Sequence, residues 1–137
     1  MVEASQEDAI LRTDIYDRVP GERWFNGRVV LAGDAIHPCA PFVGQGAGIA
    51  IEDGVVLAKE LSLTNGLEDL GMIRQALEAY QARRAPRTRQ LVMEGRKRGR
   101  LCSIENGALC AVRNTAMSLV PSRVWRRQLR QFLIYDI

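Results

Sequence analysis

The sequence predicts an α/β fold in which one or two strands are followed by several helices. Three observations carry the prediction. Residues 28–33, RVVLAG, form an unbroken apolar run of strand length, the pattern of a strand covered on both faces in a parallel sheet. Gly44-Gln45-Gly46 then opens a stretch with apolar residues at helical spacing as far as Leu61. From Met72 onward the apolar spacing is again helical, and arginine fills the intervening positions.

Taken in order, residues 10–18 (ILRTDIYDR) alternate well enough for a strand, with Ile10, Thr13, Ile15 and Tyr16 as its β-favouring members. Pro20-Gly21 marks a turn. After the apolar run comes a loop, 37–42, where Pro38 and Pro41 bar a helix. The helix after Gly46 should bury a face made by Ala47, Ala50, Ile51, Gly54, Val55, Ala58 and Leu61, widened by Ile49, Val56 and Leu57. Glu52, Asp53, Lys59 and Glu60 read as its solvated stripe. Asn65-Gly66 is a turn, and a helix over 72–84 follows, with Ile73, Ala76, Leu77 and Tyr80 on one face. Pro86 should kink or restart that helix, and the next runs towards Cys102 and could extend to Val112. After Pro121-Ser122 a last helix sets Trp125, Leu129, Phe132 and Leu133 against Arg123, Arg126, Arg127 and Arg130. The expected divisions are a sheet-edge remnant over 1–24, a strand–loop–helix unit over 25–66, and a helical region over 67–137.

Apolar residues make up 47% of the 137, enough for a real core. No run of about eighteen apolar residues occurs, so no membrane-spanning helix is expected. Residues 1–9 are acidic and polar, unlike a signal or transit peptide. Three cysteines, Cys39, Cys102 and Cys110, suit neither a disulfide framework nor a zinc site. A reducing, cytoplasmic setting is the natural expectation. The net charge is only +3, but the arginines cluster between Arg83 and Arg130. That pattern raises nucleic acid or an anionic membrane surface as partners. Aromatic residues do not interleave with the arginines, so solvated helix faces are the preferred reading and no nucleic acid is expected.

The informative stretch is 27–61. Asp34 follows the carboxyl end of the apolar run, the edge where open α/β sheets place ligands. A carboxylate there can accept hydrogen bonds from the hydroxyls of a ribose or ribityl chain. Gly33 lets a ligand approach the backbone. Ten residues on, Gly44, Gln45 and Gly46 lead into a helix start, where unpaired amides and the macrodipole favour an anion or an electron-rich carbonyl. One loop can thus bind hydroxyls at one end and delocalised negative charge at the other.

GRVVLAGDAIHP followed by PFVGQGAGIAIEDGVVLA resembles the second FAD-binding motif of the single-component flavoprotein monooxygenases, the group of salicylate hydroxylase, p-hydroxybenzoate hydroxylase, urate hydroxylase and zeaxanthin epoxidase. The flanks are similar too: Tyr16-Asp17-Arg18 with Pro20, Arg23-Trp24, Tyr80 with Arg83, Arg84, Pro86 and Arg87, and the ending from Pro121-Ser122 to Tyr135-Asp136. The resemblance implies the C-terminal fragment of an FAD/NAD(P)-binding Rossmann-like fold, with FAD as cofactor and NAD(P)H as reductant. It implies that Asp34, beside Gly33, bonds ribityl hydroxyls. The amides of Gly46, Ala47 and Gly48, after Gly44 and Gln45, would face the N1–C2=O edge of the flavin ring, where the reduced ring carries negative charge. Pro41 would line the substrate side through its carbonyl.

Ile36 departs from the family, which usually has a small residue there, and so does Gly48, where a side chain is frequent. The family also begins with a βαβ unit carrying GxGxxG, and no such spacing occurs here. The implied function is hydroxylation of an aromatic or similarly electron-rich small molecule, with only the flavin-ring part represented. The alternative is a non-catalytic module or relic that needs a missing N-terminal half or a separate dinucleotide-binding chain.

Plainer readings apply elsewhere. His37, the single histidine, is expected to be a hydrogen-bonding structural residue rather than a base. Cys39 is expected to pack within its loop. Glu52 and Asp53 point about 100° apart on a helix and are not a catalytic pair.

Overall fold

The computed structural model describes residues 6–11, 13–64, 66 and 68–135. Among them are a two-stranded sheet and four α-helices.

The strand expected over 10–18 is absent from its described residues, and Arg12 lies outside them. A single 3-10 turn at Glu7–Ala9 precedes an irregular segment in which Ile15 and Tyr16 are exposed. Alternation makes a strand only where a neighbouring backbone accepts its amides and a sheet face covers its apolar side; among the described residues of this segment only the Arg18 amide meets such an acceptor, the Pro38 carbonyl at 3.3 Å.

The apolar run gives a second correction. Only Val29–Val30 is strand (β2), and it pairs antiparallel with Phe25–Asn26 (β1) in the register Phe25↔Val30 and Asn26↔Val29. Leu31 N–H adds one bond to the Trp24 carbonyl at 2.8 Å. Val29 is 68% exposed, so this is a hairpin edge and not a strand covered on both faces. An unbroken apolar run reports a demand for cover, and the described residues meet that demand only for Val30, which packs beside Trp24.

Helix α1, Gly46–Ser62, forms where its glycine-led start places it. Its burial matches expectation at Ile49 and Val56 but departs from it in the main row and at Asp53. Ile49, Asp53 and Val56 are buried. Ala47, Ala50, Ile51, Gly54, Val55 and Ala58, the row expected inside, are all exposed. The apolar row therefore exists but faces outward, because the opposite face carries Asp53 into a set of buried polar bonds against the next helix.

That helix, α2, spans Leu70–Cys102 and runs unbroken through Pro86. Asp69 caps it, its carboxylate accepting from the Gly71 and Met72 amides at 2.7 and 3.3 Å. Proline removes one rung of the helix ladder, but Arg84, Arg87 and Thr88 bond or pack on both sides of it, so the two halves stay in line. The Asn65-Gly66 turn precedes α2, with Asn65 outside the described residues. Two clusters form the core. Trp24, Ile36, Val56 and Tyr80 make one, and Ile49, Leu91 and Phe132 the other.

Helix α3, Gly107–Ser118, is capped by Asn106 and buries no residue. It is separate from α2 rather than its extension to Val112. Helix α4, Ser122–Leu133, anchors through Phe132, while Leu129 and Leu133, expected on the buried face, stay largely exposed. No helix among the described residues is long and apolar enough to cross a membrane.

Candidate cofactor site

The site is a turn braced from both sides. Gly33 is buried at φ 56°, in the left-handed region that side chains avoid. Its carbonyl accepts from the Ile36 and His37 amides at 3.1 and 3.0 Å, closing a single 3-10 turn at Gly33–Ala35. A Cβ at Gly33 would also lie 3.1 Å from that of Ala50. Gly33→Ala is therefore expected to lose about 1–2 kcal/mol of stability, read from a urea titration. On the outer side, Arg18 Nη2 donates to the Ala35 carbonyl at 2.6 Å, and the Gly21 amide donates to the Ile36 carbonyl at 3.4 Å. Asp34 sits between these braces, exposed, and has no hydrogen-bond or ion-pair partner among the described residues.

A second 3-10 turn, Pro41–Val43, ends at Gly44 with φ 67°. Phe42 of this turn lies over Gly99 of α2, where a Cβ would come within 2.7 Å of its ring. That glycine lets the loop sit close on the helix. Gln45 then leads into α1 without a side-chain cap, and Ile49 N–H to the Gln45 carbonyl is the first rung. The amides of Gly46, Ala47 and Gly48 thus have no partner among the described residues, and the first turn holds no acid. Gln45 Oε1 lies 2.9 Å from where a Gly48 Cβ would stand, so a side chain at that position would displace it.

Beneath the loop lies a buried polar network. Asp53, taken for part of a solvated stripe, is 0% exposed. Its Oδ2 accepts from the Gly33 amide at 2.8 Å and from His37 Nε2 at 2.5 Å, and its Oδ1 accepts from Arg84 Nε at 2.7 Å. Arg84 is also fully buried. Its Nη2 donates to the Ile49 carbonyl at 3.2 Å, and its Nη1 lies 2.7 Å from Glu52 as an ion pair without hydrogen-bond alignment. His37 packs against Trp24 and has no partner at Nδ1. A carboxylate only accepts, so Nε2 is the donor in this bond. The hydrogen-bonding role expected for His37 agrees with this geometry.

Burial pushes the Asp53 carboxyl up, but His37, the Gly33 amide and Arg84 outweigh it and hold it below its ordinary 3.8. A carboxyl lowered by folding adds stability above its unfolded value and loses it as pH falls through the folded one. The fold is therefore expected to weaken from about pH 4 downward, checked by circular dichroism across an acid titration.

The arginines are not one solvated face. Arg87 pairs with Glu52 at 3.0 Å and donates to the Gln131 and Phe132 carbonyls, which ties α4 to α2. Arg96 grips Asp17 with two bonds of 2.8 and 2.9 Å. Arg123, Arg126, Arg127 and Arg130 do face solvent. Cys39 is half-buried beside Ile49 and Leu91. Burial, with Asp34 and Asp17 nearby, pushes its thiol up, which suits packing rather than redox chemistry. A surface hollow between Arg23, Phe25, Arg74 and Gln81 contains none of the expected cofactor residues.

Sequence reasoning missed Asp53 and Arg84. The one available signal was an acid within a helix otherwise apolar on most sides.

An outward acid and a bare helix start thus lie at the two ends of one loop. Residues 12–95 match the family model for the FAD binding domain, and the chain belongs to that family. It is 44% identical over 106 residues to the aurachin C monooxygenase/isomerase of Stigmatella aurantiaca, a match covering 77% of this chain and 26% of that protein. It is 56% identical over 61 residues to the chloroplastic zeaxanthin epoxidase of Arabidopsis thaliana, covering 44% of this chain and 9% of the epoxidase. A variant of HpxO from Klebsiella pneumoniae, solved with FAD, superposes with a TM-score of 0.78 at 32% identity, covering 96% of this chain and 33% of that one. HpxO with FAD and uric acid gives 0.69 at 33% identity, covering 85% of this chain and 29% of that one. The chain thus spans a third or less of the relatives it matches.

Proposed function

We propose that this chain is the flavin-ring part of an FAD-dependent monooxygenase that uses NAD(P)H to hydroxylate an aromatic or similarly electron-rich small molecule. The observation that carries this reading is the pairing of an exposed, unpartnered Asp34 with unpartnered amides at the start of α1. The residues fit the flavin end of the cofactor. Asp34 accepts from ribityl hydroxyls, and Gly33 leaves room for them. Gly44 and Gln45 turn the chain so that the amides of Gly46, Ala47 and Gly48 meet the electron-rich pyrimidine edge. The macrodipole adds roughly half a positive charge there. Pro41 offers its carbonyl on the substrate side. When bound, the flavin supplies the oxygen-transfer chemistry, and the protein supplies placement and electrostatics. Residues 25–66 form this unit in our reading, and 67–137 brace it from behind.

The test is an FAD titration of the chain, followed by the flavin band near about 450 nm. Binding is expected, and Asp34→Ala should weaken it by roughly 10- to 100-fold, the usual effect of losing hydrogen bonds to a charged group. An unchanged affinity in that variant would remove Asp34 from the site.

One observation favours the second reading, a module that binds FAD only with a partner. The outward row of α1, with Ile51 68% exposed, is an apolar face that a dinucleotide-binding segment would cover. A folded chain with no flavin band selects this reading.

A further inference from the structure

We propose that Asp53 is a positioning residue: from inside the protein it locks the turn over residues 33–37, so that Asp34 is held outward in one orientation. The functional half of this proposal rests on the flavin reading above, while the locking itself does not.

The Asp53 carboxylate is the meeting point of three elements. It belongs to α1, takes the Gly33 amide and the His37 ring from the loop, and takes the Arg84 guanidinium from α2. Gly33 and His37 are the two ends of the turn, so a single oxygen, Oδ2, grips it at both. Asp34 is bonded directly to one gripped residue and has no hold of its own. Gly33 needs such a grip, because it heads a single 3-10 turn in the left-handed region and its amide is held by Asp53 rather than by a helix or strand ladder. The Arg18 bond to the Ala35 carbonyl restrains the turn from the exposed side, where water competes. Only an acceptor at both oxygens satisfies this environment. An asparagine would set its amide group against either the Gly33 and His37 donors or the Arg84 donor.

The test compares amide hydrogen exchange in the wild-type chain and Asp53→Asn, with the Leu77 and Leu91 amides of α2 reporting the core. The Gly33 amide is expected to accelerate in the variant by about tenfold or more beyond any change at Leu77 and Leu91. Equal acceleration at all three sites, or none at Gly33, would overturn the locking. If Asp53→Asn does not fold, the wild type decides. Its Gly33 amide should exchange roughly 100-fold more slowly than that of Asp34, one residue away, and equal rates would defeat the proposal. The FAD arm is separate. A variant with a loosened turn and undiminished FAD affinity would refute the positioning of Asp34. A wild type that binds no FAD selects the partner-dependent reading above, and the exchange comparison still decides the lock.

Discussion

Arg84→Ala is expected to destabilise the fold by about 3–5 kcal/mol, the usual cost of removing one partner from a buried charge pair. The guanidinium is fully buried, and its loss would leave Asp53 Oδ1 without a donor in the interior and take the Arg84 bond from the Ile49 carbonyl, with only Gly33 and His37 left on Oδ2. Glu52 would keep Arg87, so the lost compensation would fall mainly on Asp53. Domains of this size are held by only about 5–15 kcal/mol, and the variant should show a much lower urea midpoint. Arg83→Ala is the control. Arg83 touches Glu60 at 2.8 Å from a half-exposed position, and its removal should leave the midpoint close to that of the wild type. Equal losses in the two variants would mean that the arginines of α2 act as one solvated face after all.

Trp24→Ala should cost a similar amount, about 3–5 kcal/mol, through the cavity it leaves. Its ring is fully buried, edge-on to Tyr80 with centroids 5.5 Å apart and tilted against His37 at 5.6 Å. Its Nε1 donates to the Gly21 carbonyl at 3.0 Å, so the lead-in segment loses an anchor as well. Because Ile36 and Val56 pack on the same ring, loss of Trp24 loosens the back of the 33–37 turn. Thermal unfolding followed at 222 nm, about the helical band, would read the loss. A melting temperature within a few degrees of the wild type would place the core elsewhere.

Much of the local architecture was legible because it depends on near neighbours. The glycine-led start of α1, the proline-bounded loop and the two later helices followed from residue type and spacing. The hairpin at Phe25–Val30 was not anticipated, because the apolar run that contains its second strand read as a strand covered on both faces. The strand over 10–18 and the double-sided cover of 28–33 failed for one reason: both describe what a segment packs against, and periodicity cannot name a partner. The facing of α1 failed the same way. An apolar row and a row containing Asp53 competed for the interior, and an acid with three donors arranged around it can be buried where an unpaired acid cannot. Those donors sit 16, 20 and 31 residues away. The spacing from Asp34 to Gly46 pointed to the family without any tertiary information.

The sequence alone determined the family, the loop that carries the acid and the bare amides, and where α1 and α4 begin. Those follow from short-range rules of turn chemistry, capping and apolar spacing. Only the tertiary structure decided which side of α1 turns inward, that Arg84 is buried while Arg126 is not, and that Asp53 stands behind Asp34. Burial of a charge depends on partners brought together by the fold, and no local pattern encodes which distant side chain will arrive.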